Sequence, residues 1–107
     1  MMTSTFAPTT ITKIATSLGI EEDDLFRQAL VSFLREKKRQ LLQIRLGILA
    51  RYSAKSAADL EAKIAQGIVA EHPAWEDLIV VENLTARLEE LDAYLRDLQN
   101  PESHRLE

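Results

Sequence analysis

The chain has 107 residues and a net charge of −4, and 46% of its residues are apolar, which is typical of one globular domain. It has no cysteine, which excludes disulfides, cysteine-ligated metal centres and thiol catalysis. Abundant Leu and Ala, with only three glycines and three prolines, favour helices over a sheet. We therefore expect an all-α protein. Because the chain has neither a membrane-length apolar run nor an N-terminal secretory pattern, we expect it to be cytoplasmic.

The first predicted helix is short and lies near the N-terminus. Residues 1–8 are expected to form a disordered lead, since they end in a proline. Thr9 or Thr10 can cap the helix, and Gly19 is suited to the left-handed conformation that ends one. The acidic residues 21–24 then suit the first turn of the next helix.

A long helix is predicted over residues 21–52, because no proline or glycine interrupts it before Gly47. One apolar stripe follows this helix at spacings of three and four. The stripe consists of Phe26, Leu30, Phe33, Leu34, Leu41, Ile44 and Ile48. Near the C-terminal end of the helix, Leu42, Leu46 and Leu49 form a second stripe on the opposite side. A helix that is apolar on two sides needs two partners, so we expect one within the chain and one in a second copy.

Two further helices are predicted in the C-terminal half. Ser56 with Asp59 three positions later is typical of a helix N-cap, and the short helix is expected over residues 57–66. The last helix is expected to begin near Pro73 and to end at Gln99. Its apolar residues form an a/d seam of nearly three heptads. The seam consists of Val81, Leu84, Leu88, Leu91, Leu95 and Leu98.

These elements predict a single helical domain over residues 9–99, followed by a tail over residues 100–107. The two long helices are expected to form an antiparallel hairpin, completed by the two short helices and dimerising into a helical bundle. Trp75, the only tryptophan, would either pin the preceding loop to the long helix or serve as an exposed anchor for a partner. The expected dimer or partner interface consists of Leu42, Leu46, Leu49, Trp75, Leu84, Leu88, Leu91 and Leu95.

The net charge conceals a segregation along the chain. Residues 1–26 carry −3, residues 27–55 carry +7 and residues 56–107 carry −8. In one interpretation the basic and acidic helices neutralise each other, within a chain or across a dimer. In the other, the basic block binds nucleic acid or an acidic partner. The residues that would then contact phosphates are Arg35, Lys37, Lys38 and Arg39.

Few residues are suited to catalysis or to metal binding. His72 and Glu76, one helical turn apart, offer two metal ligands, fewer than a zinc site needs. Paired carboxylates lie on the polar faces of predicted helices, where contact with solvent is the simplest interpretation. The sequence has no nucleophile motif and no phosphate-binding glycine loop. We therefore expect no enzymatic activity, no cofactor and no metal site.

The segment from Ile14 to Leu30, IATSLGIEEDDLFRQAL, resembles the helix, glycine turn and second helix of ribbon-helix-helix regulators. Members of that family dimerise and read DNA with a β-strand that precedes the first helix. In this chain residues 3–8 stand in the place of that strand, and they contain a proline and no basic residue. The resemblance implies a DNA-binding dimer.

A second resemblance covers residues 10–99. It depends on Phe33 to Lys38, Tyr52, Leu60–Glu61 and His72 to Leu78, together with the heptad helix. These residues are similar in order and spacing to small helical prokaryotic proteins, often uncharacterised, some of which are regarded as antitoxin partners of small toxins. The resemblance implies a protein that works by binding.

We therefore expect a non-enzymatic interaction module, a homodimeric antitoxin-like protein that binds a partner protein such as a toxin. One alternative is a DNA-binding transcriptional regulator that uses the N-terminal helices and the basic segment 27–55. Another is a structural or assembly protein.

Overall fold

The computed structural model describes residues 8–100, which contain four α-helices and no strand. The helices are α1 (Pro8–Leu18), α2 (Glu22–Ala50), α3 (Ala57–Ala65) and α4 (Glu71–Gln99). The prediction of an all-α fold is confirmed. The expected lead lies outside the described residues except for Pro8, which opens α1 because proline suits a first helical turn. The expected tail beyond Asn100 also lies outside them.

Glycines end the two short helices, as the sequence predicts for both. Gly19 after α1 and Gly67 after α3 have φ values of +73° and +74°. In the turn after α1, the N–H of Ile20 donates to the carbonyl of Ala15 at 3.0 Å. This hydrogen bond satisfies one of the carbonyls that the C-terminal end of a helix leaves without a partner. Ala15 is buried against the rest of the chain, so this turn holds α1 close to the start of α2.

The two long helices lie side by side, and their contacts follow opposite orders along the chain. Lys38 pairs with Asp92 at 2.7 Å, whereas Arg45, farther along α2, donates to the hydroxyl of Thr85 at 3.0 Å. Beyond the end of α2, Arg51 lies 3.3 Å from the carboxylate of Asp77 near the start of α4. Residues farther along α2 therefore contact residues nearer the N-terminus of α4.

The main core lies where α3 packs against α4 and the C-terminal end of α2. Ser56 caps α3 by accepting a hydrogen bond from the N–H of Asp59 at 3.1 Å, as its position in the sequence predicts. Leu60, which is fully buried, anchors α3 in this core. The buried residues of the cluster are Ile48, Leu49, Leu60, Ile64, Ala74, Leu78 and Val81. Towards the other end of α4, Leu88, Leu91 and Leu95 continue the buried seam.

The start of α4 is irregular. His72 and Pro73 have non-helical backbone angles, and the peptide bond between them is cis. Regular helical geometry therefore begins after Pro73, close to the start that the sequence predicts. Across residues 8–100, no helix combines the length and the apolar character that crossing a bilayer requires.

Candidate functional site

The structure separates the eight residues that the sequence predicts to form a dimer or partner interface. The residues that pack within the chain are Leu49, Leu84, Leu88, Leu91 and Leu95. They do so because the heptad seam of α4 faces its own α2. Leu42, Leu46 and Trp75 are 37%, 69% and 40% exposed, so they remain accessible to a partner. Beside Trp75, the buried Ala74 and Leu78 take the core positions instead.

Five exposed apolar side chains form a surface that we call the apolar face. It consists of Phe26, Leu30, Phe33 and Ile44 on α2 and Tyr94 on α4, which are 59%, 44%, 61%, 50% and 53% exposed. The first stripe of the sequence prediction is wider than one neighbouring helix can cover. Leu34 and Leu41, on the edge of the stripe towards α4, are half-buried, and Ile48 is buried where α3 packs against the C-terminal end of α2, whereas the other edge of the stripe remains accessible.

A second surface, the basic groove, runs between α2 and the C-terminal half of α4. It comprises two adjoining cavities of about 390 Å³ each, and both are lined by Arg35 and Gln99. The cations along the groove are Arg27, Arg35, Lys38, Arg39 and Arg96, and the apolar residues are Val31, Leu42, Leu95 and Leu98. Asp92 is the one carboxylate among the residues that line these two cavities.

Three of the five groove cations already hold a carboxylate. Lys38 pairs with Asp92 across the groove, and Arg27 lies 2.7 Å from Asp24. Arg39 binds Glu36 through two hydrogen bonds of 3.0 and 2.5 Å. Hydrogen bonds from Arg39 and then from Gln40 lower the pKa of Glu36 to about 2, so this carboxylate stays charged.

The side chains of Arg35 and Arg96 have no ion pair or hydrogen bond within residues 8–100, although both line the same cavity. Two guanidinium groups that converge on one cavity can each present a fork of N–H donors to a carboxylate or a phosphate. The apolar side chains beneath them suit the aliphatic part of such a ligand. The groove therefore fits an anionic group carried on an apolar framework.

The structure brings together three of the four residues that the sequence predicts to contact phosphates. Arg35, Lys38 and Arg39 line the basic groove. Lys37 does not, because its ammonium lies 6.0 Å from the ring centroid of Phe33, on the apolar face. Sequence reasoning missed Arg96, because it belongs to the acidic C-terminal block. The predicted antiparallel pairing of the long helices is the signal that could have placed it beside Arg35, as the structure does.

The acidic block meets the basic block at two ion pairs within the described chain, Lys38–Asp92 and Arg51–Asp77. Asp77 also accepts a short hydrogen bond from the hydroxyl of Tyr52. That hydrogen bond, together with desolvation, raises the pKa of Tyr52 above its usual value. The contacts of Asp77 fix the end of α2 to the start of α4, and only two of the eight bases in residues 27–55 pair with a described carboxylate of the acidic block.

His72 and Glu76 lie together as their spacing predicts, with Nδ1 of His72 3.0 Å from Oε2 of Glu76. A hydrogen bond from its own backbone N–H, followed by the one to His72, lowers the pKa of Glu76. Both side chains are exposed. Among residues 8–100, no group of three or more His, Cys, Asp or Glu side chains is arranged to hold a metal ion.

Comparison with known families identifies one match. The model of the Uncharacterized protein MJ0235 family matches residues 2–103, nearly the whole chain. Comparisons with curated proteins and with solved structures give no match. The family description states no activity, so function has to be argued from the two surfaces described above.

Proposed function

The chain belongs to the Uncharacterized protein MJ0235 family, and for it we propose the function of a non-enzymatic, homodimeric interaction module that binds a partner protein. Its framework would be the helical hairpin of α2 and α4, with the two short helices packed at its ends. The observation that supports the proposal is the basic groove, which Arg35 and Arg96 both line while their side chains have no ion pair or hydrogen bond within the described chain. The one carboxylate of the groove, Asp92, is paired with Lys38. The proposed ligand of the groove is an acidic amphipathic segment of the partner.

The chemistry of the groove favours such a segment over nucleic acid. Carboxylates of the segment would bind Arg35 and Arg96, and its apolar side chains would pack on Leu42 and Leu95. A phosphate backbone needs a continuous cationic track instead. Here three of the five cations hold carboxylates, and the whole chain is acidic. Acidic side chains beside the groove would repel a long polyanion.

The resemblance of residues 10–99 to small helical prokaryotic proteins, some of them regarded as antitoxins, supports a toxin as the class of partner. The exposed Trp75 supports a second contact outside the groove, since tryptophan is favoured at the centre of protein interfaces. Under this proposal the protein neutralises its partner in the cytoplasm by occupying it, without a chemical step.

The test is capture of a partner from an extract of the native host by the full chain. We expect wild type to retain one partner in a fixed ratio, and the double variant Arg35→Glu/Arg96→Glu to lose at least tenfold of that binding, because the groove then repels acidic groups. The matched control is Lys13→Glu/Lys55→Glu, which makes the same change of charge at two exposed positions outside the groove. Equal capture by wild type and the groove variant would contradict the proposal.

A DNA-binding regulator is the second candidate, favoured by the clustering of Arg35, Lys38 and Arg39 in one groove. It predicts that the chain binds a labelled DNA duplex, that affinity falls steeply as salt rises, and that the groove variant abolishes binding. The interaction module predicts weak DNA binding that is equal in wild type and the groove variant. The two functions are therefore separated by one titration series.

A further inference from the structure

The basic groove and the apolar face lie on opposite sides of the helix pair. Phe33 and Lys37 each stand two positions from Arg35 of the groove, which is a rotation of about 200° around α2. Tyr94 stands two positions from both Asp92 and Arg96 of the groove, so it too points to the other side of α4 by a rotation of about 200°. A partner in the groove therefore leaves the apolar face uncovered.

We propose that the apolar face is the surface on which a second copy of this chain packs, so that two helix pairs close into a four-helix bundle. The inference deepens the proposed function, because it depends on the homodimer in that proposal and assigns its surface. It moves the interface away from Leu46 and Leu49, which the sequence predicts. Leu49 is buried in its own chain, and Leu46 is 69% exposed and stands two positions from Ile44 of the apolar face, a rotation of about 200° around α2.

The size of the face fits a subunit interface. Since a buried aromatic side chain covers about 150–250 Å², the exposed parts of its five members amount to roughly 500 Å². A stable interface buries about 800 Å² per partner, and the stem of Lys37 with the half-buried Leu34 and Leu41 beside the face would supply the remainder. An apolar surface of this extent on one side of a two-helix layer normally packs against another layer.

The charge of the face fits a second copy better than an oppositely charged partner. Lys37 is the one cation on its α2 side, and its ammonium lies over the ring of Phe33. At its α4 edge, Arg87 and Glu90 pair with each other at 3.1 Å. Apart from Lys37 the centre of the face is apolar and its rim is self-paired, so the face sets little like charge against an identical surface, as a two-fold symmetric interface requires.

The experiment is sedimentation velocity of the full-length chain at micromolar concentration. Wild type is expected to sediment as a dimer, and Phe33→Glu as a monomer, because the interface would lose the ring of Phe33 and would have to bury a carboxylate, which is costly even when Lys37 pairs with it. The dimer dissociation constant should rise at least about 100-fold. The matched control is Leu46→Glu, on the same helix and 69% exposed against 61% for Phe33. It is expected to remain a dimer. Tyr94→Glu, on the other helix, is expected to dissociate the dimer as Phe33→Glu does.

Circular dichroism of each variant establishes that its helices are retained. Dissociation by Leu46→Glu with no effect of Phe33→Glu or Tyr94→Glu would overturn the inference and restore the stripe that contains Leu42 and Leu46. A monomeric wild type would overturn both this inference and the homodimer of the proposed function. Partner capture through the groove is a separate measurement, so loss of partner binding and loss of the dimer surface are distinguishable.

Discussion

Asp77 is the residue that joins the ends of the two long helices. Its side chain is 17% exposed and accepts hydrogen bonds from Arg51 and from the hydroxyl of Tyr52. A half-buried carboxylate that is bound by two donors stabilises the fold more than an exposed ion pair, because less solvent competes for it. Tyr52 and Asp77 are 25 positions apart in the sequence, so their hydrogen bond joins the two ends of the segment that contains α3.

Replacement of Tyr52 by phenylalanine tests this contact. The substitution keeps the ring and removes the donor, so we expect the free energy of unfolding to fall by about 1–2 kcal/mol. Chemical denaturation at neutral pH measures the change. Tyr94→Phe is the control, because the hydroxyl of Tyr94 makes no hydrogen bond within the described residues. Both substitutions are made in the Phe33→Glu background, so that packing of Tyr94 in the proposed dimer does not contribute. Equal losses in the two variants would contradict the role assigned to Asp77.

The same pair gives stability a dependence on alkaline pH. The folded state raises the pKa of Tyr52 above its ordinary value of 10.0, so the stabilisation is fully present below pH 10. It is lost as pH rises through the raised pKa, because the deprotonated hydroxyl no longer donates to Asp77. Denaturation of wild type across this range should therefore show a steeper loss of stability than denaturation of Tyr52→Phe. Parallel profiles would indicate that the hydrogen bond is absent in solution.

Among the helices, two glycines have the same open surroundings and opposite backbone requirements. A Cβ atom built at Gly47 or at Gly67 would meet no heavy atom within 4 Å. Gly47 lies inside α2, where a helix gains from a side chain, whereas Gly67 has a φ of +74° at the end of α3. The backbone conformation alone therefore decides whether a substitution at each position raises or lowers the free energy of unfolding.

Alanine at these two glycines is expected to shift stability in opposite directions. Gly47→Ala should raise the free energy of unfolding by about 1 kcal/mol, because alanine is the stronger helix former. Gly67→Ala should lower it by about 1–2 kcal/mol, because a Cβ atom is strained in the left-handed region. Thermal denaturation followed by circular dichroism measures both. A stabilising Gly67→Ala would show that α3 ends in another conformation.

The part of the chain that the structure describes is elongated. Its radius of gyration is 20.1 Å, against ~13 Å for a compact domain of this length, and its extents are 60 × 35 × 26 Å. The long helices bury one seam between them, and α3 adds a core at one end only. A second helical layer on the apolar face would bury more apolar surface without changing the helices.

A dimer makes stability depend on protein concentration. We expect the melting temperature of wild type to rise as concentration increases, because association stabilises the folded state by mass action. Phe33→Glu should melt at a temperature that does not change with concentration, whereas Leu46→Glu should behave as wild type does. Differential scanning calorimetry over a hundredfold range of concentration measures the shift. A constant melting temperature for wild type would contradict the dimer.

The sequence by itself determined the elements of this protein. The glycines at 19 and 67, the cap at Ser56 and the stop after Gln99 act on neighbouring residues, so their effects can be read locally. Four residues of the heptad seam of α4, Val81, Leu88, Leu91 and Leu95, are buried within the chain, because one continuous apolar stripe requires one neighbour. The sequence prediction assigns the last three of them to a dimer or partner interface.

Only the tertiary structure decided which surfaces remain open. The wide stripe of α2 could face its own α4 or a second copy, and spacing alone does not choose between them. The structure buries Ile48 where α3 packs against the C-terminal end of α2 and leaves Phe26 and Phe33 exposed, because α4 covers only one edge of that stripe along the rest of the helix. It likewise placed Arg96 of the acidic block beside Arg35 of the basic block, because the groove is set by the alignment of two helices that are distant in sequence.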